Sequence, residues 1–174
     1  YGVDLELEIT NPFEIDDGDL SHPGSYGNLP CGEVFAAPKT ATGTLVIKPN
    51  PTLRLVEPMT LVIEKGKVVK IQDGKFFCED LGKKLGIKKK RPSKKELRRR
   101  VVAEFGLGTN YKATNPFNIL EAEKIKGTLH TAIGNNSFFP GGRNVADLHM
   151  DFVIFKPTLQ LDKKVVMKKG KWLV

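Results

Sequence analysis

Two of the chain's three histidines fall near each other and next to an acid, in Gly127-Thr128-Leu129-His130 and Leu148-His149-Met150-Asp151, joined by a glycine-bearing connector. The spacing has chemical content. His149-x-Asp151 lies inside the apolar run Leu148 to Phe155, and a strand turns residues i and i+2 to one face. An imidazole and a carboxylate aimed the same way suit zinc, manganese, iron or cobalt, and a strand resists being splayed by the metal's preferred geometry. Taken alone, so short a motif more often marks a core histidine beside a surface acid.

Two further acids stand among apolar neighbours. Glu33 lies in Asn28-Leu29-Pro30-Cys31-Gly32-Glu33-Val34-Phe35-Ala36-Ala37-Pro38, and Glu104 in Val101-Val102-Ala103-Glu104-Phe105, just before glycines that force a turn. A carboxylate beside buried apolar residues needs a partner, because leaving it unpaired costs several kcal/mol or protonates it. On its own segment Glu33 reads equally well as a solvated loop acid.

The elements that must position these residues are mostly strands. Val3 to Ile9 alternates apolar with acidic residues, the period of a half-buried strand. Asn11 to Gly27, which holds His22, has no apolar period and reads as a loop. Short segments rich in β-branched or aromatic residues follow at Thr44–Ile47, Leu53–Val56, Thr60–Glu64, Val68–Ile71 and Lys75–Cys78. Lys65-Gly66 and Asp73-Gly74 separate the last three as hairpin turns. Ser93-Lys94-Lys95-Glu96 is a capping box, and the stripe Leu97, Val101, Val102 and Phe105 extends the helix it starts to about Phe105. Residues 119–128 read as a loop or short helix leading into a strand at His130. Val165–Met167 and Trp172–Val174 flank a last turn at Lys169-Gly170. The sum is an α+β fold: a β-dominated domain of mostly antiparallel strands with one or two helices.

Composition narrows the function classes. A chain of 174 residues with 40% hydrophobic and 28% charged residues is ordinary for one globular domain. The apolar runs are far too short for a membrane-spanning helix and no secretory signal opens the chain, so a cytoplasmic location is expected. Cys31 and Cys78 form no C-x-x-C pair and read as reduced thiols. The net charge of +8 is local: between Lys83 and Arg100 eleven Lys or Arg face one acid, while the remainder carries 17 basic and 19 acidic groups. No aromatic residue interleaves that run to stack bases, so no specific nucleic-acid partner is expected.

In order along nearly the whole chain, the Asn28–Pro38 segment, Ala103–Asn110, Asn118–Lys124, Gly127–Gly134, Gly141-Gly142 and His149–Asp151 resemble the aminopeptidase T/aminopeptidase S metalloexopeptidases of bacteria and archaea. The resemblance implies that Glu33, Glu104, His130, His149 and Asp151 bind two co-catalytic divalent ions, zinc or cobalt foremost, with iron, manganese or magnesium as other occupants. The implied activity is hydrolysis of N-terminal residues from peptides by a metal-activated water. The resemblance also implies that residues 1–174 are the C-terminal, metal-bearing domain of a homodimeric two-domain protein whose N-terminal α/β domain is absent, and the start at Tyr1 rather than Met fits a fragment. Phe138 and Arg143 are candidate substrate contacts, the one apolar and the other for a substrate carboxylate.

One departure cuts against hydrolysis. The family has a catalytic tyrosine shortly after the first histidine, whereas Asn135-Asn136-Ser137-Phe138-Phe139-Pro140 contains none, and one lost oxyanion donor commonly costs about 10²- to 10³-fold in rate. An alternative keeps only His130, His149 and Asp151, a two-histidine, one-carboxylate set of the kind that holds non-haem Fe(II), and ring-opening dihydroxypyridine dioxygenases resemble this same family. A third reading is a metal-binding homologue without peptidase activity.

Overall fold

The alternating segment at the start folds as its period requires. In the computed structural model, which describes residues 4–49, 53 and 55–174, it forms β1 (Asp4–Glu8), with Leu5 and Leu7 turned inward and the acids exposed. There follow β2 (Glu14–Asp16), β3 (Glu33–Ala36), β4 (Thr40–Ile47), β5 (Met59–Glu64), β6 (Lys67–Asp73), α1 (Lys75–Leu85), α2 (Lys94–Arg99), β7 (Val102–Gly108), α3 (Ile119–Ala122), β8 (Leu129–Gly134), β9 (His149–Ile154), β10 (Leu159–Leu161), β11 (Lys164–Lys168) and β12 (Lys171–Trp172). The β-dominated, antiparallel expectation holds, with three helices among the described residues where one or two were expected.

The strands make three antiparallel sheets, in the orders β1-β4-β5-β6, β2-β3-β7-β8-β9 and β10-β11-β12. Every residue of β7 and β8 is buried, as befits central strands covered on both faces. Apolar side chains of β4, β5 and β6 meet Leu81 and Leu85 of α1 and Val102, Ile133 and Phe152 of the five-stranded sheet in one core. A smaller cluster, Phe105, Leu107, Leu129 and Met167, ties that sheet to the C-terminal strands.

Several local expectations are corrected. Lys75–Cys78 is the first turn of α1, not a strand: Gly74 takes a left-handed φ of 77° as its N-cap rather than as a hairpin turn. Phe77, Cys78, Leu81 and Leu85 then place one apolar stripe on the core at helical spacing. The second helix stops at Arg99 and not at Phe105. Its capping box forms, but Val101 bridges Lys67, Val102 onward pairs with β8 and Phe105 onward also with β3, and Leu97, expected on the buried stripe, is 38% exposed. The loop expected at 11–27 contains β2, which pairs with β3. Leu53–Val56 forms no strand in its described residues, and only Leu55 there is buried. Val3 and Arg54, parts of expected strands, lie outside the described residues. Among the described residues no helix is long and apolar enough to cross a membrane, and both cysteines are free thiols.

Candidate metal centre

Strand register collects the candidate residues. Across the five-stranded sheet Asp16 stands opposite Glu33, Glu33 opposite Gly108, and Gly106 opposite His130. Glu104 pairs with Ala132, Ala132 with Asp151, and Gly134 with His149. Because directly paired residues and alternate residues share a face, Glu14, Asp16, Glu33, Phe35, Glu104, His130, His149 and Asp151 all project from one side. The other side carries Phe105, Leu107, Ile133 and Phe152 into the core. A register shift between Val102 and Glu104 inserts an extra residue in β7, the kind of bulge that re-aims the side chain beside it.

The functional face is lined with small residues where bulk would block it. A Cβ on Gly106 would collide with the His130 ring, and one on Gly108 with the carbonyl of Ile125 in the connector before β8. That connector is therefore able to lie on the sheet. Asn118 accepts from the amide of Leu120 to start α3, Thr128 Oγ1 donates to Ile125 O at 2.8 Å, and the turn sets Glu123 and Lys124 over Glu33.

All five sequence candidates meet. His130 Nε2 lies 3.2 Å from Glu104 Oε1 and 3.5 Å from Glu33 Oε2, while His149 Nε2 lies 3.1 Å from Glu104 Oε2 and 3.5 Å from Asp151 Oδ1. His149 Nδ1 donates to the carbonyl of Asn135 at 2.7 Å, which fixes its ring and directs Nε2 at the acids. Glu33, Glu104 and His130 form one set of donors within 4.8 Å of one another, Glu104, His149 and Asp151 a second, and Glu123, His130 and Asp151 a third. Glu123 is not among the sequence candidates, nor is Lys124, which is fully buried and donates at 2.7 Å to both Glu33 and Glu123. The adjacent acid and base in a segment that must turn back onto the sheet were the available signal, but no periodicity marks either as inward. Phe138 packs 5.5 Å from the His149 ring and Phe139 meets it edge-on at 5.9 Å, with Phe35 behind. Arg143 is exposed and is not part of the cavity wall; His22 is an exposed loop residue 3.9 Å from Asp19.

The electrostatics follow from this crowding. Burial pushes the Glu104 carboxyl up, but the two histidines that bond it outweigh burial and hold it at about 2. Burial pulls both imidazoles down, and the acids overcome it, lifting His130 to about 9 beside Glu104 and His149 to about 10 beside Asp151 and Glu104. Burial drives Glu123 up to about 7 and raises Glu33 despite His130 and Lys124. Protons on two imidazoles thus stand where a cation would satisfy the same acids. Buried Glu33 Oε2 and His130 Nδ1 have no hydrogen-bond partner. Orphaned buried donors and acceptors in a mixed imidazole and carboxylate set are what a metal site requires when its ion is left out. The residues fit a divalent ion. They open on a cavity of about 590 Å³.

Comparison with known proteins resolves the family. The model of the family described as NicX, 2,5-dihydroxypyridine 5,6-dioxygenase, matches residues 1–174. The chain belongs to this dioxygenase family. The expectation of an aminopeptidase is accordingly corrected: the match over the whole chain is to a family of ring-cleaving dioxygenases. The resemblance to aminopeptidase T remains as a likeness of fold. A solved structure of 2,5-dihydroxypyridine dioxygenase from Pseudomonas putida KT2440 superposes with a TM-score of 0.73 at 23% identity over 94% of this chain. Wild-type AmpT from Thermus thermophilus superposes with a TM-score of 0.71 at 21% identity over all of it. The chain spans about half the length of each, 49% and 48% respectively. No curated protein matches by sequence.

Proposed function

We propose that this chain carries the iron centre of a dioxygenase that opens dihydroxypyridine-type rings, with His130, His149 and Asp151 as the iron ligands. The observation that carries the reading is the dioxygenase family match across all 174 residues. The lack of tyrosine in residues 135–140 supports it, since ring cleavage has no use for the oxyanion donor that hydrolysis would miss. Two histidines and one carboxylate are the ligand set that leaves positions open for oxygen and substrate on Fe(II). Iron(II) held there supplies the one-electron chemistry by which dioxygen, with its unpaired electrons, can react with a closed-shell ring.

The chain's own residues do the rest. Asn135 O holds the His149 Nδ1 proton and so keeps Nε2 turned to the site. Phe138 and Phe139 provide an apolar wall beside His149 against which a flat ring can lie. Glu123 lines the cavity with a carboxyl of which one oxygen is bonded to Lys124, leaving the other to take a proton from a ring hydroxyl and return it. Lys124 holds Glu33 and Glu123 in place by bonds to one oxygen of each.

The full-length protein, reconstituted with Fe(II) without oxygen and then given oxygen and 2,5-dihydroxypyridine, is expected to bind one iron per chain and to consume oxygen. His149→Ala and Asp151→Ala are expected to lose both. Two tightly held ions per chain with no oxygen uptake on any dihydroxypyridine would sink the proposal.

A further inference from the structure

We infer that this cavity selects its ring by charge, admitting neutral or cationic heteroaromatic rings and rejecting those that carry a carboxylate. The inference rests on the ring-cleaving reading for the identity of the ring, but the charge selection stands on the walls themselves. Eight carboxylates line the cavity: Glu33, Glu104, Glu123 and Asp151 at its floor and Glu14, Asp16, Asp17 and Asp19 at its mouth. Among the described residues no lysine or arginine lines it. Lys124 is fully buried behind the floor with Glu33 and Glu123 already bonded to it, and exposed Arg143 lies off the wall.

The floor and the mouth differ in what neutralises them. A divalent ion together with Lys124 would compensate much of the floor, where buried Glu33 Oε2 has His130 Nε2 at 3.5 Å but no hydrogen-bond donor. The mouth has no such compensation. Asp16 accepts from the amide of Asn28, Asp17 from that of Asp19, and Asp19 from that of Ser21, with the exposed imidazole of His22 at 3.9 Å from Asp19. Among the described residues no lysine or arginine pairs with any of the four. A concave wall of one sign focuses its field into the opening, so an anion meets repulsion before it reaches the metal, whereas a ring N–H or a pyridinium meets acceptors.

Two measurements on the full-length protein test this. In a Cys31→Ser background, Leu120→Cys places a thiol on the cavity wall, and its modification by a cationic methanethiosulfonate is expected to outpace that by the anionic sulfonate reagent by at least about tenfold, each rate being taken relative to that of the same reagent with free mercaptoethanol. The ratio should fall towards one in Asp16→Asn/Asp17→Asn/Asp19→Asn and in high salt. Equal rates, or a faster anionic reagent, would overturn the inference. The second is anaerobic calorimetry of the iron-loaded protein with 2,5-dihydroxypyridine and with the same ring bearing a carboxylate. At least about tenfold weaker binding of the carboxylate is expected, and equal or tighter binding overturns the inference. A strong cationic preference at the introduced thiol with neither ring bound would keep the charge selection and overturn the dihydroxypyridine reading instead.

Discussion

Gly106 shows how a residue without a side chain can decide a metal site. It stands directly opposite His130 on the neighbouring strand, and a Cβ there would occupy the space of the imidazole. Gly106→Ala is therefore expected to displace the His130 ring, lower iron occupancy well below one per chain, and cost about 1–3 kcal/mol of stability as overpacking does. Metal analysis and a urea titration read the two effects separately; full occupancy with unchanged stability would contradict the crowding. Lys124 is the opposite case, a charge whose removal strands others. Lys124→Met leaves Glu33 and Glu123 buried without their shared donor, and breaking a buried pair in this way costs about 3–5 kcal/mol. In chelator-treated protein the midpoint of urea unfolding should fall accordingly, and a stability within about 1 kcal/mol of wild type, the size of a surface pair, would show the pairing to be dispensable.

At the scale of elements, α2 owes its existence to its start. Ser93 Oγ accepts from the Glu96 amide and the Glu96 carboxylate accepts from the Ser93 amide at 2.7 Å, with Lys89 at 2.5 Å. Six residues are too few for a helix to persist on propensity, so Ser93→Ala is expected to cost about 1 kcal/mol. The bond from Lys89, followed by those from Ser93, holds the Glu96 carboxyl down at about 2, against 4.5 ordinarily. A carboxyl lowered on folding contributes stability above its unfolded value and loses it as pH falls towards the folded one. The stability gap between wild type and Glu96→Gln should thus be full above pH 4.5 and close as pH falls to about 2. Urea midpoints on either side of that window check it, and a gap that stays constant across it would remove Glu96 from the account.

For the whole molecule, the decisive feature is that one sheet has two roles. Its inner face closes the core with Phe105, Ile133 and Phe152, while its outer face carries all five sequence candidates on four neighbouring strands. Phe152, fully buried in the core shared with the four-stranded sheet and next to Asp151 in the chain, joins the two roles. Phe152→Ala is expected to cost about 3–5 kcal/mol and, because Asp151 is its neighbour on the strand, to weaken iron retention. Thermal unfolding with and without Fe(II) measures both; a large loss of stability with undiminished iron affinity would separate core from site.

Residue types and spacing were enough to single out Glu33, Glu104, His130, His149 and Asp151 as candidates, because an acid in an apolar strand and a histidine two residues from an acid each demand a partner, but only the family resemblance made them one ligand set. They also sufficed for the antiparallel character of the fold and for the capping box of α2, which are written in alternation and in local hydrogen-bond chemistry. Where α2 ends was not legible, since Val101 to Phe105 satisfies a helical stripe and a buried strand equally, and only the open positions between β3 and β8 decide for the strand. Lys75–Cys78 failed likewise, for four residues cannot reveal a period that needs Leu81 and Leu85 to complete it. Glu123 and Lys124 enter the site through a turn laid over Gly108, a contact between segments that no local pattern encodes. The choice between one metal chemistry and another is a still longer-range matter. His130, His149 and Asp151 are common to the hydrolytic and the oxygenating readings, and what surrounds them, a connector without tyrosine, a phenylalanine wall and a mouth of acids without lysine or arginine partners, comes together only when the strands are set side by side.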